Sequence, residues 1–253
     1  MGLGRVLYSV GIDLKRVALL RHLPRYWSER AAFRRAGGRV ARSHAILDDY
    51  RAQAGTASGH YFHQDLLVAT RIQQAAPRRH IDVGSRVDGF VAHVASFRAI
   101  EVIDIRPLAN PGHERIRFLQ CDMMAAGAGF EAICDSLSCL HALEHFGLGR
   151  YGDPINPDGH LQGFEGLQRM LEPGGRLYLS VPIGRSGVHF NAHRVFAAAE
   201  VLGWARGQFD LEHFDYVDDA GVLHRDADPQ AVPPNLRFGL GIYTLRKHAR
   251  AAA

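Results

Sequence analysis

Five short apolar runs, at residues 80–84, 100–105, 116–120, 132–138 and 176–182, are separated by stretches with helical spacing, among them 88–98 and 161–171. Strands alternating with helices need right-handed crossovers, and the outcome is a doubly wound, mostly parallel α/β sheet covered on both faces. A third helix is expected over residues 194–204. Residues 209–217 and 237–246 then read as two strands with no helix between them, which should pair antiparallel at one edge of the sheet. At 47% hydrophobic and 22% charged residues, the 253-residue chain is globular in composition, which excludes a disordered or collagen-like chain. No apolar run approaches the roughly 18 residues that span a bilayer, and no signal-peptide core opens the chain, so a cytoplasmic location is expected. Cys121, Cys134 and Cys139 lack CxxC spacing, which speaks against a disulfide framework or a thiolate zinc site.

Charge divides the chain. Residues 1–47 hold ten Lys and Arg against Asp13 and Glu29, a formal +8, and the remainder carries −4. We read residues 1–59 as a basic helical extension and 60–253 as the sheet domain. In the extension, Asp13 can cap a first helix, Pro24 interrupts, and Gly37-Gly38 stop a second. Val6, Leu7, Val10, Leu14, Val17 and Leu20 form an apolar stripe. Such an element suits peripheral contact with an anionic membrane or partner through residues 1–47, although a solvated helical face packed on the domain is the favoured reading. The basic residues are Arg throughout except Lys15 and Lys247, which reads as codon bias, and no specific nucleic-acid partner is expected.

The first strand ends in Asp82-Val83-Gly84-Ser85, and the next ends in Asp104, twenty residues after Gly84. In a doubly wound sheet this places a tight turn at the carboxyl edge and a carboxylate where ribose hydroxyls can be bound. The third strand ends in Gln120-Cys121-Asp122-Met123, adding a carboxylate that can receive an adenine amino group. Leu171-Glu172-Pro173-Gly174-Gly175 followed by Arg176-Leu177-Tyr178-Leu179-Ser180-Val181-Pro182 supplies a helix end, a turn and a buried strand.

With these elements in this order, residues 60–246 resemble the class I S-adenosylmethionine-dependent methyltransferases. The resemblance implies a Rossmann-like sheet of seven strands whose final strand inserts antiparallel. It also implies S-adenosylmethionine as cofactor, held by Asp82, Gly84, Ser85, Arg86, Asp104, Ile105, Asp122 and Met123. A closer resemblance, carried by residues 82–90, 141–154 and 190–196, is to a methyltransferase-like family, domain of unknown function 268 (DUF268). Its members are often associated with cell-surface polysaccharide synthesis. One departure from the methyltransferase pattern stands out: Arg86 occupies a position usually held by glycine, and its cation suits a sulfonium site only if it turns toward a carboxylate such as Asp88 or Asp104.

His141-Ala142-Leu143-Glu144-His145 matches HxxEH, in which a helix would place both histidines on one face for zinc. A strand of a nucleotide-type sheet precedes it here, so no metal is assigned. His141 and His145 are the candidate catalytic residues, with His141 better placed to take an acceptor proton. Arg150, Tyr151, Asp153, Asn191, His193 and Arg194 fall after the fourth and fifth strands, where a small-molecule or glycan acceptor would bind. The expected activity is O-methylation of a saccharide or surface-glycan precursor. The alternatives are a non-catalytic methyltransferase-like binding module in a biosynthetic assembly and, less favoured, a zinc hydrolase.

Overall fold

A computed structural model describes residues 14–109, 112–125 and 130–249. The chain forms two compact units, residues 1–56 and 57–253. In the first, α1 (Leu14–Val17) and a 3₁₀ segment lead into α2 (Leu23–Arg35). Pro24 opens α2 instead of interrupting it, because the first helical turn has no use for its missing N–H. Around α2, Glu29 accepts from Arg25 at 2.7 Å and from the Tyr50 hydroxyl at 2.6 Å. Asp13, Val6, Leu7 and Val10 lie outside the described residues. Of the stripe's remainder, Val17 and Leu20 are more than half exposed.

Among the described residues, the second unit is built on an eight-stranded sheet in the order β3-β2-β1-β4-β5-β10-β8-β9. β1 (His80–Val83), β2 (Ile100–Asp104), β3 (Ile116–Gln120), β4 (Cys134–Leu140) and β5 (Leu171–Ile183) run parallel. β6 (Gly187–His189) and β7 (His193–Val195) form a separate hairpin. β10 (Gly239–Lys247) enters antiparallel between β5 and β8 (Phe209–Val217). The eighth strand, where the sequence implied seven, is the two-residue β9 (Leu223–His224), paired to β8.

Alternate residues of the strands face opposite layers. Leu137, Cys139, Leu177 and Leu179 pack with Phe164 and Leu167 of α5 (Gly159–Met170) and Val201 of α6 (Glu200–Ala205). Val102, Leu140, Tyr178 and Ile242 pack with Val68 and Ile72 of α3 (His60–Ala75) and with Phe90 and Val94. Residues 88–98 are less helical than expected: a π-turn over Val87–Val91, broken by non-helical Gly89, precedes the one-turn α4 (Ala92–Ala95). The helix expected over 194–204 is also shorter. His193–Val195 pair as β7, Phe196 bridges to Ile183, and α6 begins only at Glu200. No helix among the described residues is long and apolar enough to cross a membrane.

Candidate functional site

The carboxyl ends of β1, β2, β3 and β4 surround a cavity of about 250 Å³. Its floor is the turn after β1. Gly84 has φ +82°, and a Cβ there would stand 2.7 Å from the Cβ of Ala142, so both conformation and close approach require glycine. Asp82 builds the turn from behind and does not line the cavity. Its fully buried carboxylate accepts from the Ser85 amide at 3.0 Å, the Ser85 hydroxyl at 2.8 Å and the Ser138 hydroxyl at 2.5 Å. Burial outweighs these bonds and raises its pKa to about 6.

Gly84, Ser85, Arg86, Asp104, Ile105, Asp122 and Met123 all line the cavity. Arg86 turns its guanidinium onto Asp88 in a bidentate pair at 3.0 and 2.7 Å, at the exposed rim. Asp104, the last residue of β2, is instead gripped by Arg106, whose Nε and Nη2 reach its carboxylate at 2.9 and 2.5 Å. Asp122 accepts from the Met124 amide at 2.9 Å.

On the opposite wall the chain leaves β4 through His141, which adopts φ +54°. That left-handed conformation, uncommon for a residue with a Cβ, is held by Ser180, whose carbonyl and hydroxyl accept from the His141 amide at 3.0 and 2.9 Å. The next residues form a 3₁₀ turn, Leu143–His145, so HxxEH is not helical here. The turn brings the Glu144 carboxylate, fully buried, against His141 Nδ1, and places His145 Nε2 3.7 Å from the same oxygen. Burial pulls the His141 pKa down, but the Glu144 charge overrides it and the net shift is upward. For Glu144, burial pushes upward and the two histidines prevail, leaving its pKa lowered. His145, with Nδ1 on the Ala192 carbonyl at 2.7 Å, is shifted down by burial.

One ligand-type atom from each of His141, Glu144 and His145 lies within 4.8 Å of the others, and Oε2 of Glu144 is buried without a hydrogen-bond partner among the described residues. The dyad is roofed by α3: Tyr61 stacks on His141 with ring centroids 5.2 Å apart, and His60 Nδ1 lies 3.4 Å from His141 Nε2. Burial first, and then the neighbouring His141, lowers the His60 pKa to about 4.

Arg150, Tyr151 and Asp153 line the cavity, while Asn191, His193 and Arg194 do not. Asp153 shapes its loop, accepting from the amides of Gly147, Gly149 and Tyr151 at 2.7, 3.1 and 3.2 Å. Arg194 is 3% exposed and donates to the carbonyls of Glu144, Phe146, Asn156 and Pro157. It clamps the loops behind the dyad, where an acceptor contact was expected. His193 rests against Phe238, centroids 4.9 Å apart. Among the further lining residues that the sequence did not assign to the site are Tyr61 and Arg106.

Residues 113–217 match a family described as Caenorhabditis protein of unknown function, DUF268. No curated protein matches the chain. Among solved structures, the N-methyltransferase NodS from Bradyrhizobium japonicum WM9, in complex with S-adenosyl-L-homocysteine, is similar at 12% identity and a TM-score of 0.53, covering 75% of this chain and 88% of its own. The [4+2]-cyclase SpnF is similar at 16% identity and a TM-score of 0.55, over 85% and 90%. The YcgJ protein from Bacillus subtilis is similar at 12% identity and a TM-score of 0.50, over 75% and 99%. The fold is therefore the class I methyltransferase fold, and the DUF268 resemblance holds over the matched segment. A cyclase among the neighbours shows that this fold serves more than one chemistry, so function must be argued from the site.

Proposed function

We propose that the protein is an S-adenosylmethionine-dependent methyltransferase that methylates a hydroxyl of a saccharide or surface-glycan precursor. The observation that carries this reading is the pairing of two walls across one cavity: Gly84, Asp104 and Asp122 at the nucleoside side, and the Glu144–His141 dyad at the other. The donor set fits a nucleoside cofactor. A turn without a Cβ permits close approach, Asp104 offers acceptors for ribose hydroxyls, and Asp122 stands one strand further along the same edge.

When bound, the cofactor supplies an electrophilic methyl group on a cationic sulfur. The chain's own task is to align the acceptor and remove its proton. Glu144 accepts from His141 Nδ1–H, which fixes the tautomer with the lone pair on Nε2; His60 Nδ1, 3.4 Å away, must yield that nitrogen for it to take the hydroxyl proton. The positive charge that then develops on the imidazole is balanced by the buried carboxylate. Tyr61 covers the ring and limits access of water. Tyr151 and Arg150 offer the ring face and donors that suit a hydroxylated acceptor.

A non-catalytic binding module would have no need of a buried carboxylate that raises the pKa of a cavity histidine. A zinc hydrolase of the HxxEH type would need a helix where the 3₁₀ turn stands. Calorimetric titration with S-adenosylhomocysteine, followed by transfer of isotopically labelled methyl from S-adenosylmethionine to nucleotide-sugar and oligosaccharide acceptors, tests the proposal. Saturable binding and labelled product are expected; a folded protein that binds no S-adenosylhomocysteine overturns it.

A further inference from the structure

Asp104 carries the ribose contact in the reading above, yet its carboxylate is fully engaged by its own chain. Oδ1 accepts from the Arg106 backbone amide at 2.8 Å and from Arg106 Nε at 2.9 Å, and Oδ2 accepts from Arg106 Nη2 at 2.5 Å. The same Nη2 donates to the Gly84 carbonyl at 3.2 Å, so one guanidinium ties the ribose carboxylate to the turn after β1. Its carbon also lies 4.9 Å from the Tyr151 ring centroid, which extends the tie to the loop expected to meet the acceptor. Tyr151 in turn stands edge-on to His145, centroids 5.5 Å apart, and His145 borders Glu144.

We propose that Arg106 is an intramolecular occupant of the ribose site, which the cofactor must displace, and that its displacement carries the arrival of cofactor to the acceptor loop through Tyr151. This inference rests on the cofactor reading given above. With the Arg106 amide and Nε on Oδ1, and Nη2 and, at 3.1 Å, Nε on Oδ2, the roughly four lone-pair sites of the carboxylate are taken, so the internal guanidinium competes with a ligand's hydroxyls. Cofactor therefore binds the fraction of molecules in which Arg106 has left, and apparent affinity is lowered by that fraction. On leaving, Arg106 also leaves the Tyr151 ring, and the loop over residues 147–153 is freed from the nucleoside side. Arg106 is thus a positioning residue that orders the two binding events.

The test compares the full-length protein with Arg106→Gln and Arg106→Lys, using S-adenosylhomocysteine and adenosine as probes in calorimetry and amide hydrogen exchange over residues 147–153 as the second readout. Removing the competitor should tighten binding of both probes about three- to tenfold in Arg106→Gln. Arg106→Lys, which keeps the charge but loses the fork, should fall between the two. Exchange at Tyr151 and Gly152 should shift on adding probe to the wild type, and in Arg106→Gln should already sit at the liganded value. Equal or weaker binding by Arg106→Gln overturns the proposal, as does a loop that still responds to probe in that variant. Failure of the folded wild type to bind either probe overturns the cofactor reading, and the latch with it.

Discussion

His141 and Glu144, three residues apart in the chain, face each other where the carboxylate is fully buried and the imidazole side chain is only 10% exposed. Little solvent screens this pair, so each group shifts the other's protonation: His141 titrates above its ordinary 6.5 and Glu144 below its ordinary 4.5. A base must be neutral to accept a proton, so methyl transfer should fall as pH drops through the raised His141 pKa, with the half-point above 6.5. Glu144→Gln leaves burial opposed only by the smaller pull of Asp65 and should move that limb to lower pH, whereas His141→Ala should lower kcat by about 10²- to 10⁴-fold with S-adenosylhomocysteine affinity nearly unchanged. A pH–rate profile that Glu144→Gln does not move would remove the dyad from the mechanism. The same pair acts on stability with opposite signs at its two ends. The raised His141 contributes fully below pH 6.5 and loses its contribution as pH rises through the folded pKa. The lowered Glu144 contributes above pH 4.5 and loses its contribution as pH falls through its folded pKa. Urea midpoints should therefore show the largest gap between wild type and Glu144→Gln from about pH 4.5 to 6.5.

Asp104→Ala should weaken S-adenosylhomocysteine binding by about 1–3 kcal/mol, because ribose hydroxyls would be buried without their acceptor. Calorimetry on a variant with wild-type circular dichroism measures this directly. Unchanged affinity would take the nucleoside away from the carboxyl end of β2.

Gly84→Ala meets two obstacles at once, a positive φ and a contact of 2.7 Å with Ala142. The expected cost is about 1–3 kcal/mol of stability, with loss of cofactor binding as the turn after β1 shifts. Thermal melts and titration together decide this. A variant as stable as wild type and equally competent to bind would show that the turn tolerates a side chain.

The sheet was legible because buried parallel strands read as apolar runs and their carboxyl ends are punctuated by Gly84, Asp104 and Asp122. The antiparallel pair β8 and β10 was legible because no helical spacing separates the two stretches, but the two-residue β9 carries no periodicity to detect. What local pattern could not supply is contact across long separations. His60 and Tyr61 reach His141 from about eighty residues upstream, and nothing in their own neighbourhood marks them. Arg194 looked like a charged loop residue, yet its donors find four carbonyls and it is buried without a carboxylate partner among the described residues. Arg106 had a signal available, a guanidinium two residues from the ribose carboxylate, whose meaning emerges only once Tyr151 is placed beside it.

The protein should contain no stoichiometric zinc, and chelator should leave methyl transfer intact. Oε1 of Glu144 already serves His141, and the ligand-type atoms sit on a 3₁₀ turn instead of a helix face. Metal analysis of the purified protein checks this. A stoichiometric transition metal that His145→Ala abolishes would reassign the cluster as a metal centre and replace proton removal by Lewis-acid activation of the acceptor.

The basic extension should bind anionic surfaces. Trp27 and Phe33 of α2 are 53% and 56% exposed, and Arg25, Arg30, Arg34 and Arg35 lie on the same helix. Exposed aromatic rings can enter the headgroup boundary while neighbouring guanidinia meet lipid phosphates. The net +8 of residues 1–47 provides the long-range attraction, which salt screens over about 8–10 Å near physiological ionic strength. Cosedimentation of the full chain with vesicles containing anionic lipid should be strong at low salt and weak at high salt. Trp27→Ala with Phe33→Ala should reduce binding at both salt concentrations, because it removes the apolar anchor. Replacing Arg30, Arg34 and Arg35 by Gln should act mainly at low salt, because it removes the screened component. Binding that neither set of substitutions changes would place any membrane contact elsewhere on the molecule, and the extension would then be a solvated helical segment.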